Sequence, residues 1–210
     1  MGVPPTTRTA LVTIPDDIFY GQQWTLFEHA CTHMDAPAHF TLDGRVVPQI
    51  DLSELIAPAV VIDISERAAS DPDTMVTPAD LRAFERRHGR IPRGAVVCMH
   101  SGWEERATST EAYRNADAGG VMHFPGFGKP AAEWLLAERG IRGIGVDTLS
   151  LDQGSSTTFD VHGTVLPADR YGIENLRNLK AIPPRGATIY VGVIPWRDGS
   201  GGPCRAFATW

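Results

Sequence analysis

The feature that most constrains the fold is a series of short, nearly unbroken apolar runs, each bounded by Gly, Pro or Asp: Thr9 to Ile14, Ala59 to Ile64, Ala95 to Met99, Ile141 to Val146 and Thr188 to Ile194. Runs of this length, rich in β-branched residues, read as strands. A segment such as Ala59-Val60-Val61-Ile62 has no polar face, so it needs apolar cover on both sides. Helices fall between the runs. Thr77 is placed to cap the first, with Pro78 at its first helical position and Gly89 as its stop; another begins near Pro130 and stops at Gly140. The alternation predicts an α/β fold, a mixed β-sheet or barrel-like core with flanking helices, rather than an all-β sandwich. No repeat, low-complexity tract or Ser/Gly linker divides the chain, and 210 residues suit a single domain over 1–210.

The 19 basic and 25 acidic residues give a net charge of −6 with no long run of like charge. That argues against a nucleic-acid arm or a polybasic membrane anchor. No stretch has the pattern of a signal peptide or the roughly 20 apolar residues of a membrane span. The expected location is therefore the cytoplasm, and the expected partner a small-molecule substrate, with no nucleic acid and no membrane. Cys31, Cys98 and Cys204 are odd in number and widely spaced, which reads as free thiols.

Chemistry concentrates in His29-Ala30-Cys31-Thr32-His33-Met34-Asp35-Ala36-Pro37-Ala38-His39, which holds three of the seven histidines and an aspartate. Neutral imidazole and carboxylate are ligands for borderline divalent ions such as zinc or manganese. On a straight strand His29 and His33 would stand about 13 Å apart at ~3.3 Å per residue, so the chain must coil or bend between them. Pro37 pushes Ala36 toward extended geometry, and in an extended segment His33 and Asp35 face the same side. His39 follows closely enough to hang over a metal and move protons without ligating it. Read alone, His162 and Glu174 carry little signal. Glu174 fits a first-turn carboxylate opening an apolar helix, favoured by the helix dipole.

The segment His29 to Phe40 resembles the HxGTHxDxPxH signature of the cyclase family of metal-dependent hydrolases, which includes bacterial kynurenine formamidases and isatin hydrolases. Similarity extends to Ser101-Gly102-Trp103, Phe124-Pro125-Gly126, the stretch from Gly145 to Asp152, and Gly172-Ile173-Glu174-Asn175-Leu176. The resemblance implies a swivelling β/β/α fold and a metal-activated water that cleaves a C–N amide bond of a small molecule, a formamide or a cyclic amide. It implies one metal on His29, His33 and Asp35, with Asp35 bridging to a second metal on His162 and Glu174, and His39 as the catalytic histidine. Isatin hydrolases, which use one metal, lack that second pair, so two ions per subunit are expected here, zinc first and manganese second. A homodimer or homotetramer is implied as well.

The alternatives are a lactone hydrolase or ring-forming cyclase on the same metal site, and, from another class, a non-catalytic metal-stabilised binding protein. The presence of His39 speaks against the last. Cys31 stands where the family has Gly, so a positive φ there would strain the backbone; a thiol that touches the metal is a minor alternative. The segment before His29 is shorter than in kynurenine formamidases, with no tryptophan matched to their aryl contact, which turns the expectation away from formylkynurenine. Thr108 to Met122 reads as an insertion able to reshape the pocket mouth. Asp147 and Asp152 are candidates to orient a liganding imidazole. His100 and His123 read as ordinary polar residues, and a nucleophilic Ser150 or Ser155 lacks a GxSxG elbow.

Overall fold

The apolar runs at Ala59 to Ile64, Ala95 to Met99 and Ile141 to Val146 fold as strands because both of their faces find cover. In the computed structural model, which describes residues 5–210, the strands are β1 (Thr7–Val12), β2 (Gly21–Thr25), β3 (His33–Asp35), β4 (Ile56–Asp63), β5 (Met75–Val76), β6 (Val96–His100), β7 (Gly126–Phe127), β8 (Gly143–Val146), β9 (Tyr171–Glu174), β10 (Arg185–Val193) and β11 (Gly201–Thr209). The helices are α1 (Ser65–Ser70), α2 (Pro78–His88), α3 (Thr110–Arg114), α4 (Lys129–Arg139) and α5 (His162–Val165). Seven strands close into a mixed barrel in the order β10-β11-β3-β9-β8-β6-β4. β4, β6, β8 and β9 run parallel, whereas β3, β10 and β11 are joined by antiparallel ladders. The expected α/β fold with a barrel-like mixed sheet is the fold observed.

Alternation along each strand divides the core in two. Ala57, Ala59, Val61, Val96, Cys98, Ile173, Ile189 and Val191 fill the barrel. Val60, Ile62, Val97, Met99, Ile144 and Val146 point outward, onto Leu81 and Phe84 of α2 and Ala131, Ala132 and Leu135 of α4. Two-sided burial is why these strands read as continuous apolar runs. Helix α2 starts as expected: Thr77 Oγ1 accepts from Asp80 N at 3.3 Å and Asp80 Oδ2 accepts from Thr77 N at 2.8 Å, a reciprocal cap that fixes the first turn.

The run Thr9 to Ile14 forms the strand expected of it, over Thr7–Val12, but β1 pairs with β2 in a hairpin outside the barrel. One expectation is corrected. Glu174 opens no helix; it ends strand β9. The short strands β3 and β9 were hidden because their outward positions carry His, Asp, Glu and Gly rather than apolar residues. No helix among the described residues is long and apolar enough to cross a membrane.

Candidate metal centre and active site

The bend between His29 and His33 is made at Cys31, whose φ of 60° lies in the left-handed region. Its carbonyl accepts from His33 Nδ1 at 2.9 Å and from Asn175 Nδ2 at 2.9 Å, and Asn175 is itself left-handed at φ 57°. Shared bonding of this kind offsets the roughly 1–3 kcal/mol that such conformations cost. The Tyr113 hydroxyl lies 3.0 Å from Asn175 Oδ1 and 2.9 Å from the Asp147 carbonyl. Tyr113, within Thr108 to Met122, thus braces the bend through Asn175.

His33 and Asp35 point to one face of β3, and Glu174 sits opposite His33 in register on β9. Met34 and Ile173 point into the barrel, so the three polar side chains point out of it, where α5 brings His162. The residues beside Asp35 on its two neighbouring strands are both glycine, Gly172 and Gly201. A Cβ on Gly201 would stand 2.5 Å from His29 Cε1, so only bare backbone leaves room for that ring beside Asp35.

Asp35 is the hub of the site. Its Oδ1 lies 2.7 Å from His29 Nδ1 and 3.3 Å from His33 Nε2; its Oδ2 lies 3.5 Å from His162 Nε2 and, though buried, has no hydrogen-bond partner among the described residues. Glu174 faces two of the same rings, with Oε2 3.4 Å from His33 Nε2 and Oε1 3.1 Å from His162 Nε2. The outer nitrogens are already committed. His33 Nδ1 donates to the Cys31 carbonyl, and His162 Nδ1 donates to Asp152 Oδ2 at 2.6 Å. Asp152 is held in turn by Val161 N and His162 N. With those protons placed, the inner nitrogens present lone pairs to carboxylate oxygens. Acceptors aimed at acceptors in a dry site are stable only with a proton or a cation between them. His29, Asp35 and His39, and likewise His33, Asp35 and Glu174, offer ligand atoms within 4.8 Å of one another, so the donor set fits a divalent cation.

Protons take that place in the bare protein. Burial lowers the His33 imidazole, but the hydrogen bond and charge of Asp35 and the charge of Glu174 outweigh it and hold the group at about 9. Burial is outweighed in the same way at His162, which Asp152, Asp35 and Glu174 raise to about 11. Burial would raise Asp35, yet His162, His29 and His33 hold it well below the usual carboxylate range. Glu174 is raised by burial and by the Asp35 charge. His39 differs: burial pulls it down to about 4 against the opposing pull of Asp35, so its ring is neutral near pH 7.

His39 closes the turn Pro37–His39, its ring stacked on His29 with centroids 3.8 Å apart and 6.0 Å from that of His162. Unlike the other three rings it hydrogen-bonds to no group among the described residues. Around it stand Phe27, 5.3 Å from His29, Phe40, stacked on His162 at 4.9 Å, and Phe159, 6.0 Å from Phe40.

The family profile described as "Putative cyclase" matches residues 3–153, well over half of the chain. The chain belongs to the cyclase family. This cyclase-family chain is 35% identical over 203 residues to the isatin hydrolase of Roseibium aggregatum, a match that covers 92% of the chain and 76% of that protein. It is 26% identical over 196 residues to the kynurenine formamidase of Delftia acidovorans, covering 84% and 80% respectively. Isatin hydrolase A from Ralstonia solanacearum has the same fold, with a TM-score of 0.93 and 37% identity over 98% of this chain and 82% of that one. The chain is accordingly a hydrolase.

The structure of this cyclase-family hydrolase brings together all six residues singled out in the sequence, His29, His33, Asp35, His39, His162 and Glu174. Of the two aspartates, Asp152 orients His162, but Asp147 does not touch a site imidazole; it accepts from Ser101 N, Ser101 Oγ, Gly102 N and Trp103 N and so builds the turn after β6. Cys31 is exposed and joins neither ligand cluster. His100 and His123 pair with Asp63 and Asp73 and stay outside both clusters. Sequence reasoning missed Ser200 and Glu28, which bond to each other and surround His29 Nε2. They are 172 positions apart, and no local pattern links them.

Proposed function

We propose that this hydrolase cleaves the C–N amide bond of a small aromatic molecule, a cyclic amide of the isatin kind first and an aryl formamide second, on two divalent ions. His29, His33 and Asp35 would hold one ion; Asp35, His162 and Glu174 would hold the other. The observation that carries the reading is the buried, unpartnered Asp35 Oδ2, set among imidazoles whose outer nitrogens are already bonded. Zinc is the first choice and manganese the second. Ions of this kind supply Lewis acidity toward a carbonyl and ionise water near neutral pH.

The chain's own residues supply the rest. Phe40 and Phe159, with Phe27 beside His29, would give a planar substrate ring aromatic surface to stack on. Asp152 and the Cys31 carbonyl fix the planes of the His162 and His33 rings. His39, neutral and free of other bonds, takes a proton from the attacking water and returns it to the leaving nitrogen, a contribution of about 10² to 10⁴ in rate. The cyclic amide comes first because the isatin hydrolases are relatives at 35% and 37% identity, against 26% for the kynurenine formamidase; the second ion, expected from the His162–Glu174 pair, is the one trait that sides with the formamidases and keeps the aryl formamide second.

A homodimer or homotetramer belongs to the same proposal. The β1–β2 hairpin exposes Leu11, Ile18, Phe19 and Trp24, and a two-stranded hairpin with an uncovered apolar surface is marginal by itself. A cytoplasmic location is also proposed, and cell fractionation tests it. The deciding experiment is elemental analysis of protein purified without a metal-binding tag, followed by assays of isatin, an aryl formamide and an aryl lactone with zinc or manganese. Isatin opening by protein carrying about two ions per chain is the expected result. Turnover of the lactone alone would transfer the reading to lactone hydrolysis, and tight metal binding without turnover of any substrate would end the catalytic reading.

A further inference from the structure

His29 differs from His33 and His162 in what holds its outer nitrogen. Its Nε2 lies 3.0 Å from Ser200 Oγ, and Ser200 Oγ donates at 2.6 Å to Glu28 Oε1. A hydroxyl has one proton. With that proton on Glu28, Ser200 meets His29 only as an acceptor, so Nε2 carries the ring proton and donates it. Nδ1, 2.7 Å from Asp35 Oδ1, is then the ring atom left to share a cation with that carboxylate. Ser200 is itself fixed by its backbone, since its carbonyl accepts from Ala36 N at 2.8 Å while that of Gly199 accepts from Val47 N at 2.9 Å. The next residue, Gly201, supplies the bare surface against which the ring lies.

We propose that Glu28 and Ser200 are positioning residues that fix His29 in its Nε2–H tautomer, so that Nδ1 is its ligand atom toward a divalent cation beside Asp35. The inference rests on the divalent-ion reading above. Ser200 connects the start of β11 to the signature segment, so the centre is completed by a residue from the far end of the chain. Second contacts to a liganding imidazole set its affinity for metal, typically by 10- to 100-fold.

The test uses zinc and the full chain. Zinc affinity by competition with a chromophoric chelator should fall about 10- to 100-fold in Ser200→Ala and be restored in Ser200→Thr, which keeps the hydroxyl. Glu28→Gln should fall in the same direction by less, because a neutral amide is a weaker acceptor for the Ser200 proton. Long-range proton–nitrogen NMR of the zinc-loaded wild type should show His29 protonated at Nε2 and shifted by metal at Nδ1. A Ser200→Ala protein that binds zinc as tightly as wild type overturns the inference, as does a His29 proton found on Nδ1. Wild type that takes up no zinc or manganese overturns the divalent-ion reading instead, so the two failures are distinguishable.

Discussion

The centre has a strand-borne half and a loop-borne half, held in different ways. His33, Asp35 and Glu174 lie on adjacent barrel strands, locked by the β3–β9 ladder and only 2%, 1% and 6% exposed. His29 and His39 come from turns, are half-buried, and stack on one another. Register fixes the first half and leaves those side chains no choice of direction. The second half depends on individual contacts, namely Ser200, the Gly201 surface and the Cys31 bend. In the proposed reading the rigid half concentrates charge for the cations, while the loop half would add His29 as a ligand and His39 as the group that meets the substrate.

Breaking the rigid half should have the largest effect. Asp35→Ala removes the carboxylate that faces three imidazoles; bound metal and turnover should both disappear, and the bare protein should lose about 3–5 kcal/mol because buried charge is left unpaired. Elemental analysis and a denaturant titration check both. Breaking the loop half at His39 should be milder and of another kind: His39→Ala keeps its metal while kcat falls about 10²- to 10⁴-fold. Equal metal loss in the two variants would make His39 a ligand and erase the distinction.

Acidity sharpens the comparison further. The folded-state values of His33 and His162 lie above the ordinary 6.5, at about 9 and about 11. Their pairing therefore stabilises the bare protein fully below 6.5, and that stability is lost as pH rises through about 9 and then about 11. A cation must displace these protons, so zinc affinity should weaken as pH falls below 9, by about tenfold per unit for each proton displaced. Calorimetry in buffers of differing ionisation enthalpy should detect the released protons; zinc binding without proton release would contradict the arrangement. His39, held at about 4, should contribute nothing to that release near pH 7. The smallest effect should come from the hairpin. Trp24→Ser should shift sedimentation toward smaller species, leave zinc content intact, and change chain stability by no more than about 0.5 kcal/mol.

Much of the candidate site could be read before the fold was known, because His29, His33, Asp35 and His39 fall in one segment whose spacing demands a bend followed by an extended stretch. His162 and Glu174 could be linked to that segment only through the family resemblance. Glu174 in isolation passed for a helix opener because Gly172-Ile173-Glu174-Asn175-Leu176 has neither the length nor the alternation of a clear strand. Asp147 and Asp152 looked equivalent, both following an apolar strand, yet one builds a turn and the other orients a ring.

The sequence by itself determined the α/β alternation, the doubly buried strands, the caps of α2 and the need for a bend between His29 and His33, since each depends on residues within a few positions of one another. Tertiary structure alone decided that β3 pairs with both β9 and β11. That pairing sets Glu174 opposite His33, flanks Asp35 with Gly172 and Gly201, and carries Ser200 to His29. The physical reason is that register between strands distant in sequence is chosen by closure of the whole barrel and the packing of its interior, a quantity that no local pattern encodes.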